Sequence, residues 1–287
     1  MNRGEARLKE PKLRDCKALF LDIDGTIVGA SGEMSAKVKA TLEKTIHSGR
    51  IIVLATGRSL AHTRTLVEDL AIGGYGILLN GGMIVDWDTG EIVRSCLIDL
   101  IEAQNAVRIC HEHDLAPVWF GMNEEVDSVW TDRKRMHWRK YESDNAYRMI
   151  YLEDLTCSLQ IEPASLAAFG TEREIKSLAD AWATAFADAM NVTAAPTDFY
   201  RGWYAQMTTI KADKATAVEW VAAKLGIDRE STFAIGDQVN DLRMLKWAGL
   251  GVCMGDGSNT VKLAANYVTG TLAEDGAATA IERFVLI

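Results

Sequence analysis

The sequence lacks the features that mark membrane proteins, disulfide-stabilised proteins and zinc-binding proteins. It contains no apolar run of the roughly 18 residues that a membrane-spanning helix needs. Its five cysteines are scattered and show no C-x-x-C spacing, so we expect reduced thiols. Residues 1–15 are charged and contain no apolar segment typical of a signal peptide. We therefore expect a cytoplasmic protein whose first 15 residues form a loosely held N-terminal tail.

Basic residues are also in short supply. The 287 residues include 31 Lys and Arg against 40 Asp and Glu, which gives a formal net charge of −9. An acidic surface argues against nucleic acid or an anionic membrane as the main partner. A phosphorylated small molecule is compatible with it, because a bound metal and a few basic side chains can reverse the local field. The composition does not distinguish a monomer from a homodimer.

Strands alternate with helices towards both ends of the chain. Apolar runs without a helical period predict buried strands at 17–21, 50–55 and 232–235, and helical patterns follow them. This alternation is typical of an α/β fold, so we predict a Rossmann-like, doubly wound parallel sheet.

A middle region interrupts the alternation. It begins with a hairpin at 84–93, after a third short strand at 75–79, and further patterns predict helices at 100–113 and 172–190 and strands at 117–121 and 158–162. We predict that this region is an inserted α/β domain, and we expect most of its tryptophans to be core residues. The predicted organisation is a tail at 1–15, a core domain formed by 16–82 and 206–287, and an inserted domain at 83–205.

Polar residues stand where the predicted strands of the core domain end. Asp22 and Asp24 follow the first strand, although Asp-x-Asp-Gly is also common in ordinary turns. Thr56 follows the second strand, where it can bind a phosphate or simply cap the next helix. Lys214 lies in a first helical turn, which the helix dipole disfavours unless an anion or acids compensate. A solvent-facing lysine is the alternative.

The fourth strand end adds two more acids, Asp237 and Asp241. Because strand ends of a parallel sheet meet at one edge, these residues can converge with those of the other strands. Carboxylates suit nucleophilic attack, proton transfer and Mg²⁺ binding, and Thr and Lys suit the oxygens of a phosphoryl group. The set as a whole therefore favours phosphoryl chemistry more than any single member does.

Four motifs in this order resemble those of the haloacid dehalogenase superfamily of phosphatases, and within it the Cof-type group with a large α/β cap. The motifs are Leu21-Asp22-Ile23-Asp24-Gly25-Thr26, Ala55-Thr56-Gly57-Arg58, Lys211-Ala212-Asp213-Lys214 and Gly236-Asp237-Gln238-Val239-Asn240-Asp241. Asn80-Gly81-Gly82 resembles the group's segment before the cap, which here is the inserted domain. The lysine segment departs from the usual Gly-containing approach, so Lys211 is the alternative to Lys214.

The resemblance implies Mg²⁺-dependent hydrolysis of a small-metabolite phosphomonoester, with a sugar phosphate favoured, through an aspartyl-phosphate. It implies catalytic roles for Asp22 and Asp24, phosphate binding by Thr56, Gly57, Lys214 and Asn240, and a metal site formed by Asp22, Asp24 through its backbone carbonyl, Asp237 and Asp241. A phosphomutase or phosphotransferase using the same site is the alternative. A receiver-like or non-catalytic binding protein is less compatible with the complete motif set. We also consider that the basic stretch 133–140 grips an acidic substrate, although such runs are usually solvated.

Overall fold

The computed structural model describes residues 13, 15–29, 32–123, 126–133, 139–158, 160–197 and 202–286. Most of the predicted N-terminal tail therefore lies outside the described residues. The chain divides into two compact units. The first unit contains the described residues of Met1–Gly29, Met34–Val53 and Val218–Ile287, and the second contains those of Ala30–Glu33 and Leu54–Ala217.

The strands and helices of the described residues follow in chain order. The strands are β1 Ala18–Leu21, β2 Ile51–Leu54, β3 Tyr75–Leu78, β4 Met83–Asp86, β5 Ile92–Ser95, β6 Pro117–Asn123, β7 Val126–Thr131, β8 Met149–Tyr151, β9 Ser165–Gly170, β10 Met190–Thr197, β11 Gly202–Thr209, β12 Thr232–Gly236, β13 Leu250–Cys253 and β14 Tyr267–Val268. The helices are α1 Ala36–His47, α2 Leu60–Leu70, α3 Leu100–Glu112, α4 Arg139–Asn145, α5 Leu155–Ser158, α6 Glu172–Ala185, α7 Lys214–Leu225, α8 Leu242–Trp247, α9 Asn259–Ala264 and α10 Gly276–Phe284.

The first unit is built on a five-stranded sheet with the order β14-β13-β12-β1-β2. The pairs β1–β12, β12–β13 and β13–β14 are parallel. Every residue of β1 and β12 is buried, as expected for strands covered on both faces. The sheet confirms the predicted α/β class with a parallel core, and it brings the ends of β1 and β12 side by side.

Helix boundaries follow local capping in much of the chain. The helix α1 begins after Ser35, whose hydroxyl oxygen accepts a hydrogen bond from the Val38 backbone N–H at 3.1 Å. In α6, Thr171 and Glu174 form a reciprocal capping box. Within the described part of the chain, no helix has both the length and the apolar composition needed to cross a membrane.

The second unit contains two sheets. The larger has the order β10-β11-β9-β6-β7-β8, and its pairs are antiparallel except for β7–β8. The smaller is the antiparallel sheet β3-β4-β5. Trp119 and Trp130 are buried in the apolar core of this unit, and Trp203 packs against it, which confirms their predicted core role. Trp138 lies outside the described residues.

Two element predictions in this region were wrong. The helix α5 ends at Ser158, none of the described residues 160–162 lies in a strand, and the next strand begins only at Ser165. Asp154 accepts a hydrogen bond from the Thr156 backbone N–H at 2.7 Å, which favours a helical turn that ends where the predicted strand was to begin. The helix predicted at 172–190 ends at Ala185, and Met190 already belongs to β10.

The two compact units do not coincide with the predicted core and inserted domains. Residues 54–82 belong to the second unit, in which β3 pairs antiparallel with β4. Ala55 is joined to Ile77 of β3 by an isolated parallel bridge. Residues 206–217 group with it because β11 lies between β10 and β9. The functional division into a core and a cap at 83–205 stays a prediction.

Candidate active site

Asp22 and Asp24 lie in the turn that follows β1. The Asp22 N–H donates to the Ile235 carbonyl oxygen of β12 at 3.0 Å, so Asp22 continues the sheet, and its side chain is buried. Asp24 is exposed. Gly25 has φ +81°, and a Cβ there would lie 2.6 Å from the Asp237 Oδ2 atom. Only glycine satisfies both the left-handed backbone and the close approach of the second acidic loop.

Asp237 and Asp241 follow β12 in a turn that is ordered by their own side chains. The Asp241 Oδ2 atom accepts hydrogen bonds from the backbone N–H groups of Asp237 and Gln238, both at 3.0 Å. The Gln238 side-chain amide donates to Asp237 Oδ2 at 2.8 Å. Asp241 is fully buried and Asp237 is buried. These bonds fix both carboxylates at the end of the strand.

Asp22, Asp237 and Asp241 form one cluster. One carboxylate oxygen from each lies within 4.8 Å of the others. Three carboxylates at this spacing repel each other strongly, and burial increases the repulsion because water is excluded. A cation that accepts oxygen ligands would offset this charge, so the donor set suits a hard divalent metal. The exposed Asp24 side chain is not a member of this cluster.

Cys253 lies at the end of β13, and its Sγ atom and the Asp237 backbone both lie close to Gly257. Burial raises the pKa of its thiol from near 9 to about 11, and Asp237 adds to this increase against the opposing charge of Lys262. A raised pKa disfavours the thiolate, which is the reactive form of cysteine.

Thr56 and Gly57 lie in the second unit, in the turn before α2. Thr56 is buried, and its Oγ1 atom accepts a hydrogen bond from the Arg58 backbone N–H at 3.1 Å. The Thr56 carbonyl oxygen accepts from the Asn80 N–H at 2.9 Å. A Cβ added at Gly57 would lie 3.2 Å from the Asn80 side-chain nitrogen. The turn at 56–58 and the segment that begins at Asn80 are therefore in direct contact.

The same segment also contacts the start of α7. Gly81 has φ +94°, and a Cβ there would lie 2.5 Å from the Asp213 carbonyl oxygen, immediately before Lys214. Lys214 is 1% exposed, whereas Lys211 is exposed. A buried lysine needs a specific role or partner far more than a solvated one does, which supports Lys214 over the alternative Lys211.

Sequence reasoning missed a side chain at this contact. The Asn80 side-chain amide donates to Gln206 Oε1 on β11 at 3.2 Å, across 126 positions of the chain. Asn80 has φ 57°, so this bond fixes a residue in a left-handed conformation. Gln206 belongs to an ordinary strand pattern, and nothing local in the sequence distinguishes it.

The predicted site residues are thus distributed over both units. The four acids and the exposed Asn240 belong to the first unit, and Thr56, Gly57 and Lys214 to the second. Part of the predicted basic stretch, 134–138, lies outside the described residues. Of its described members, Arg133 pairs with Asp114 at 3.5 Å and Lys140 with Asp144 at 2.8 Å.

Comparisons with known proteins agree with one another. The profile of the haloacid dehalogenase-like hydrolases matches residues 19–281. The chain is 28% identical to the 5-amino-6-(5-phospho-D-ribitylamino)uracil phosphatase of Bacillus subtilis, over 95% of this chain and 97% of that protein. It is also 28% identical to the phosphoglycolate phosphatase of Methanosarcina mazei, over 93% and 95% of the two chains.

Solved structures show the same likeness. A haloacid dehalogenase-like hydrolase from Bacteroides thetaiotaomicron superposes with a TM-score of 0.81 and 26% identity, covering 94% of this chain and 99% of that one. The subclass IIB sugar phosphatase BT4131 superposes with a TM-score of 0.75 and 25% identity, covering 94% and 100%. The parallel sheet, the acidic cluster and these relatives define the class as an α/β phosphatase. The chain belongs to the haloacid dehalogenase-like hydrolases, whose profile spans most of its length.

Proposed function

We propose that this phosphatase hydrolyses a small phosphorylated metabolite, with a sugar phosphate favoured, in a Mg²⁺-dependent reaction that passes through an aspartyl-phosphate on Asp22. The observation that carries the proposal is the buried cluster of Asp22, Asp237 and Asp241, whose ligand atoms lie within 4.8 Å of one another. No ordinary structural role requires three buried carboxylates at this spacing, whereas a divalent cation does.

The chain's own residues fit such an ion. Asp22, Asp237 and Asp241 would hold it through carboxylate oxygens, and the family resemblance adds the backbone carbonyl of Asp24. When bound, Mg²⁺ supplies positive charge that offsets the charge of the nucleophile and of the phosphoryl group. The hydrogen bonds that the Asp237 and Gln238 N–H groups donate to Asp241 order this turn and so position its carboxylates.

In the first step, a carboxylate oxygen of Asp22 attacks phosphorus and the bond from phosphorus to the ester oxygen breaks. Asp24 donates a proton to the leaving oxygen, which departs as an alcohol. Thr56, Gly57 and Lys214 would bind the equatorial oxygens, where negative charge accumulates in the transition state. The support for these roles is the motif order together with the buried ammonium group of Lys214.

In the second step, the Asp24 carboxylate accepts a proton from a water molecule as that water attacks phosphorus. The bond between phosphorus and the Asp22 oxygen breaks, which releases inorganic phosphate and restores both carboxyl groups. The exposure of Asp24 is compatible with this role, because its proton must exchange with the leaving group and with water.

A sugar phosphate is favoured as the substrate class for two reasons. The structural relative BT4131 is a sugar phosphatase, and the Bacillus relative acts on a phosphorylated ribityl chain, by their names. Phosphoglycolate, the substrate in the name of the Methanosarcina relative, is smaller and more acidic. A substrate panel should therefore contain sugar phosphates, sugar-alcohol phosphates and short phosphorylated acids.

The test is phosphate release from this panel with Mg²⁺, with EDTA, and with Asp22→Asn. We expect Mg²⁺-dependent release that EDTA and the substitution both abolish, with the highest kcat/KM for a sugar or sugar-alcohol phosphate. Release that continues in the Asp22→Asn variant would contradict the proposed nucleophile. Transfer of labelled phosphate to a second hydroxyl group, in place of release to water, would instead identify a phosphotransferase.

A further inference from the structure

Arg148 is a buried cation in the second unit that the proposed mechanism does not use. Its side chain is 3% exposed and lies between α4 and β8. Taking a guanidinium group out of water costs free energy, so a buried arginine is expected to make hydrogen bonds that orient its neighbours.

One partner of Arg148 is itself rigidly oriented. The Nε and Nη2 atoms of Arg148 donate to Asn145 Oδ1 at 2.8 and 2.6 Å. Asn145 is fully buried, and its side-chain N–H donates to the Tyr141 carbonyl oxygen at 2.8 Å. Because the amide nitrogen is committed to Tyr141, the amide oxygen faces the guanidinium and fixes its plane.

The other partner connects Arg148 to the predicted phosphate-binding turn. Arg148 Nη2 donates to Ser59 Oγ at 3.2 Å, across 89 positions of the chain. Ser59 is buried and occupies the N-cap position of α2, three residues after Thr56. Its hydroxyl does not cap the helix, unlike a typical N-cap serine, and accepts the Arg148 hydrogen bond.

The turn itself is short and continuous from Thr56 to Ser59. Neighbouring residues also bind this turn: Thr56 Oγ1 accepts from Arg58 N–H at 3.1 Å, and the Arg58 carbonyl oxygen accepts from Leu79 N–H at 3.1 Å. The Ser59 carbonyl oxygen accepts from Thr63 Oγ1 at 2.9 Å. Arg148 is therefore an anchor from a distant part of the chain at the C-terminal end of this turn. A shift of Ser59 would be transmitted to Gly57 and Thr56 through only two or three residues.

We propose that Arg148 is a positioning residue for phosphate binding, which acts through Ser59 to hold the Thr56–Ser59 turn in its binding geometry. This inference rests on the proposed function, because it assumes that Thr56 and Gly57 bind the phosphoryl group. It assigns Arg148 no contact with the substrate. Groups that orient a ligand-binding residue commonly contribute one to two orders of magnitude to affinity or activity.

The test measures the inhibition constant of inorganic phosphate, together with KM and kcat, for the full-length enzyme with Mg²⁺. In Ser59→Ala we expect the inhibition constant and KM to rise about tenfold, the lower end of the effect of removing an orienting partner. Ser59→Thr keeps a hydroxyl group and should restore values near those of the wild type. Ser165→Ala is the matched control, since Ser165 is also a buried serine of this unit and donates to the Met207 carbonyl oxygen.

Arg148→Lys keeps the positive charge but loses the planar group that binds Asn145 and Ser59 together. We expect the same rise as in Ser59→Ala, and no further rise in the double variant, because both substitutions break one connection. A purely structural role would lower the melting temperature and the folded fraction, and the inhibition constant of the folded enzyme would stay at the wild-type value.

The outcomes separate this inference from the function on which it rests. If wild-type enzyme hydrolyses phosphomonoesters and Ser59→Ala retains the wild-type inhibition constant, the positioning role is wrong and the proposed function stands. If the wild-type enzyme neither hydrolyses any panel member nor binds inorganic phosphate, both are wrong. Should Arg148→Lys fail to fold, the comparison of Ser59→Ala, Ser59→Thr and Ser165→Ala still decides the question.

Discussion

Charge of opposite sign is buried in the two compact units. The first unit buries the carboxylates of Asp22, Asp237 and Asp241, and the second buries the cationic groups of Lys214 and Arg148. Removing a charged group from water costs several kcal/mol even after the protein relaxes. Each unit therefore maintains an arrangement that costs folding free energy, which is typical of residues kept for function.

The Asp237–Asp241 turn and the Arg148–Ser59 contact differ in how far apart in sequence their parts lie. Asp237 and Asp241 are four positions apart, and the backbone of their own turn orders them. Arg148 reaches Ser59 across 89 positions. The turn that holds Asp237 and Asp241 is therefore encoded locally, whereas Asp22 joins these acids only through the pairing of β1 with β12, and the Arg148–Ser59 contact depends on the tertiary structure of the second unit. Substitutions that remove one buried charge at a time test whether the two sets serve the same reaction.

The largest effect should come from the acidic set. Asp22→Asn removes the proposed nucleophile, and we expect kcat to fall about 10⁴-fold or more, as single knockouts of covalent nucleophiles do in other hydrolases. The measurement is steady-state phosphate release with the best substrate. Asp228→Asn, at an exposed position of the same unit, should keep wild-type activity. A decrease in kcat of tenfold or less in Asp22→Asn would contradict the role of Asp22 as the nucleophile.

The next largest effect should come from the basic set. Lys214→Met keeps the length and apolar stem of the side chain and removes its charge. We expect kcat/KM to fall about 10²- to 10³-fold, the typical cost of losing a donor that stabilises transition-state charge. Lys211→Met removes the same charge from an exposed position nearby and should change kcat/KM less than about threefold. A larger loss of kcat/KM in Lys211→Met than in Lys214→Met would indicate that Lys211 binds the phosphate instead.

A metal titration tests the acidic set independently of catalysis. Mg²⁺ that binds the folded protein and not the unfolded chain should raise the melting temperature. A free Mg²⁺ concentration 100 times the dissociation constant stabilises the folded state by about 2.7 kcal/mol. Asp237→Asn removes one carboxylate, so we expect the apparent Mg²⁺ dissociation constant to rise about 10- to 100-fold.

The control for this titration is a variant of the second unit that removes a proposed phosphate-binding residue. Lys214→Met should keep the Mg²⁺-dependent rise in melting temperature while it loses activity, because Lys214 is not a proposed metal ligand. An equal loss of the metal effect in both variants would indicate general destabilisation.

The sequence predicted the local features of this molecule well. The parallel sheet follows from apolar strands with polar ends, and β1 and β12 are buried along their whole length. The acids of the first unit were found because each pair lies within five residues at a strand end. The family motifs then related them to Thr56 and Lys214.

The features that the sequence did not predict depend on distant partners. Gln206 is identified by the hydrogen bond that it accepts from the Asn80 side chain, and Arg148 by its hydrogen bonds to Asn145 and Ser59. The strand predicted at 158–162 begins at the last residue of α5, a helical turn in which Asp132 and Asp154 accept hydrogen bonds from backbone N–H groups. Asp132 is more than 20 positions away from that helix, beyond the reach of a local pattern.

The smallest expected effect is on the pH dependence of stability, and it concerns one buried thiol in each unit. Burial raises the pKa of Cys16 in the first unit to about 12, against the opposing charge of Arg50, and burial also raises the pKa of Cys110 in the second unit. As the pH rises above about 9, the unfolded chain releases these protons and the folded chain keeps them, so the stability of the folded state falls.

Replacing either thiol should therefore reduce the alkaline loss of stability. In Cys16→Ala we expect the slope of unfolding free energy against pH, from urea unfolding between about pH 8 and pH 10, to become shallower by at most about 1.4 kcal/mol per pH unit. Cys110→Ala should act in the same direction, and Cys157→Ala, at an exposed thiol, should leave the slope unchanged. A steeper slope in Cys16→Ala would show that its thiol ionises more readily in the folded chain than in the unfolded one.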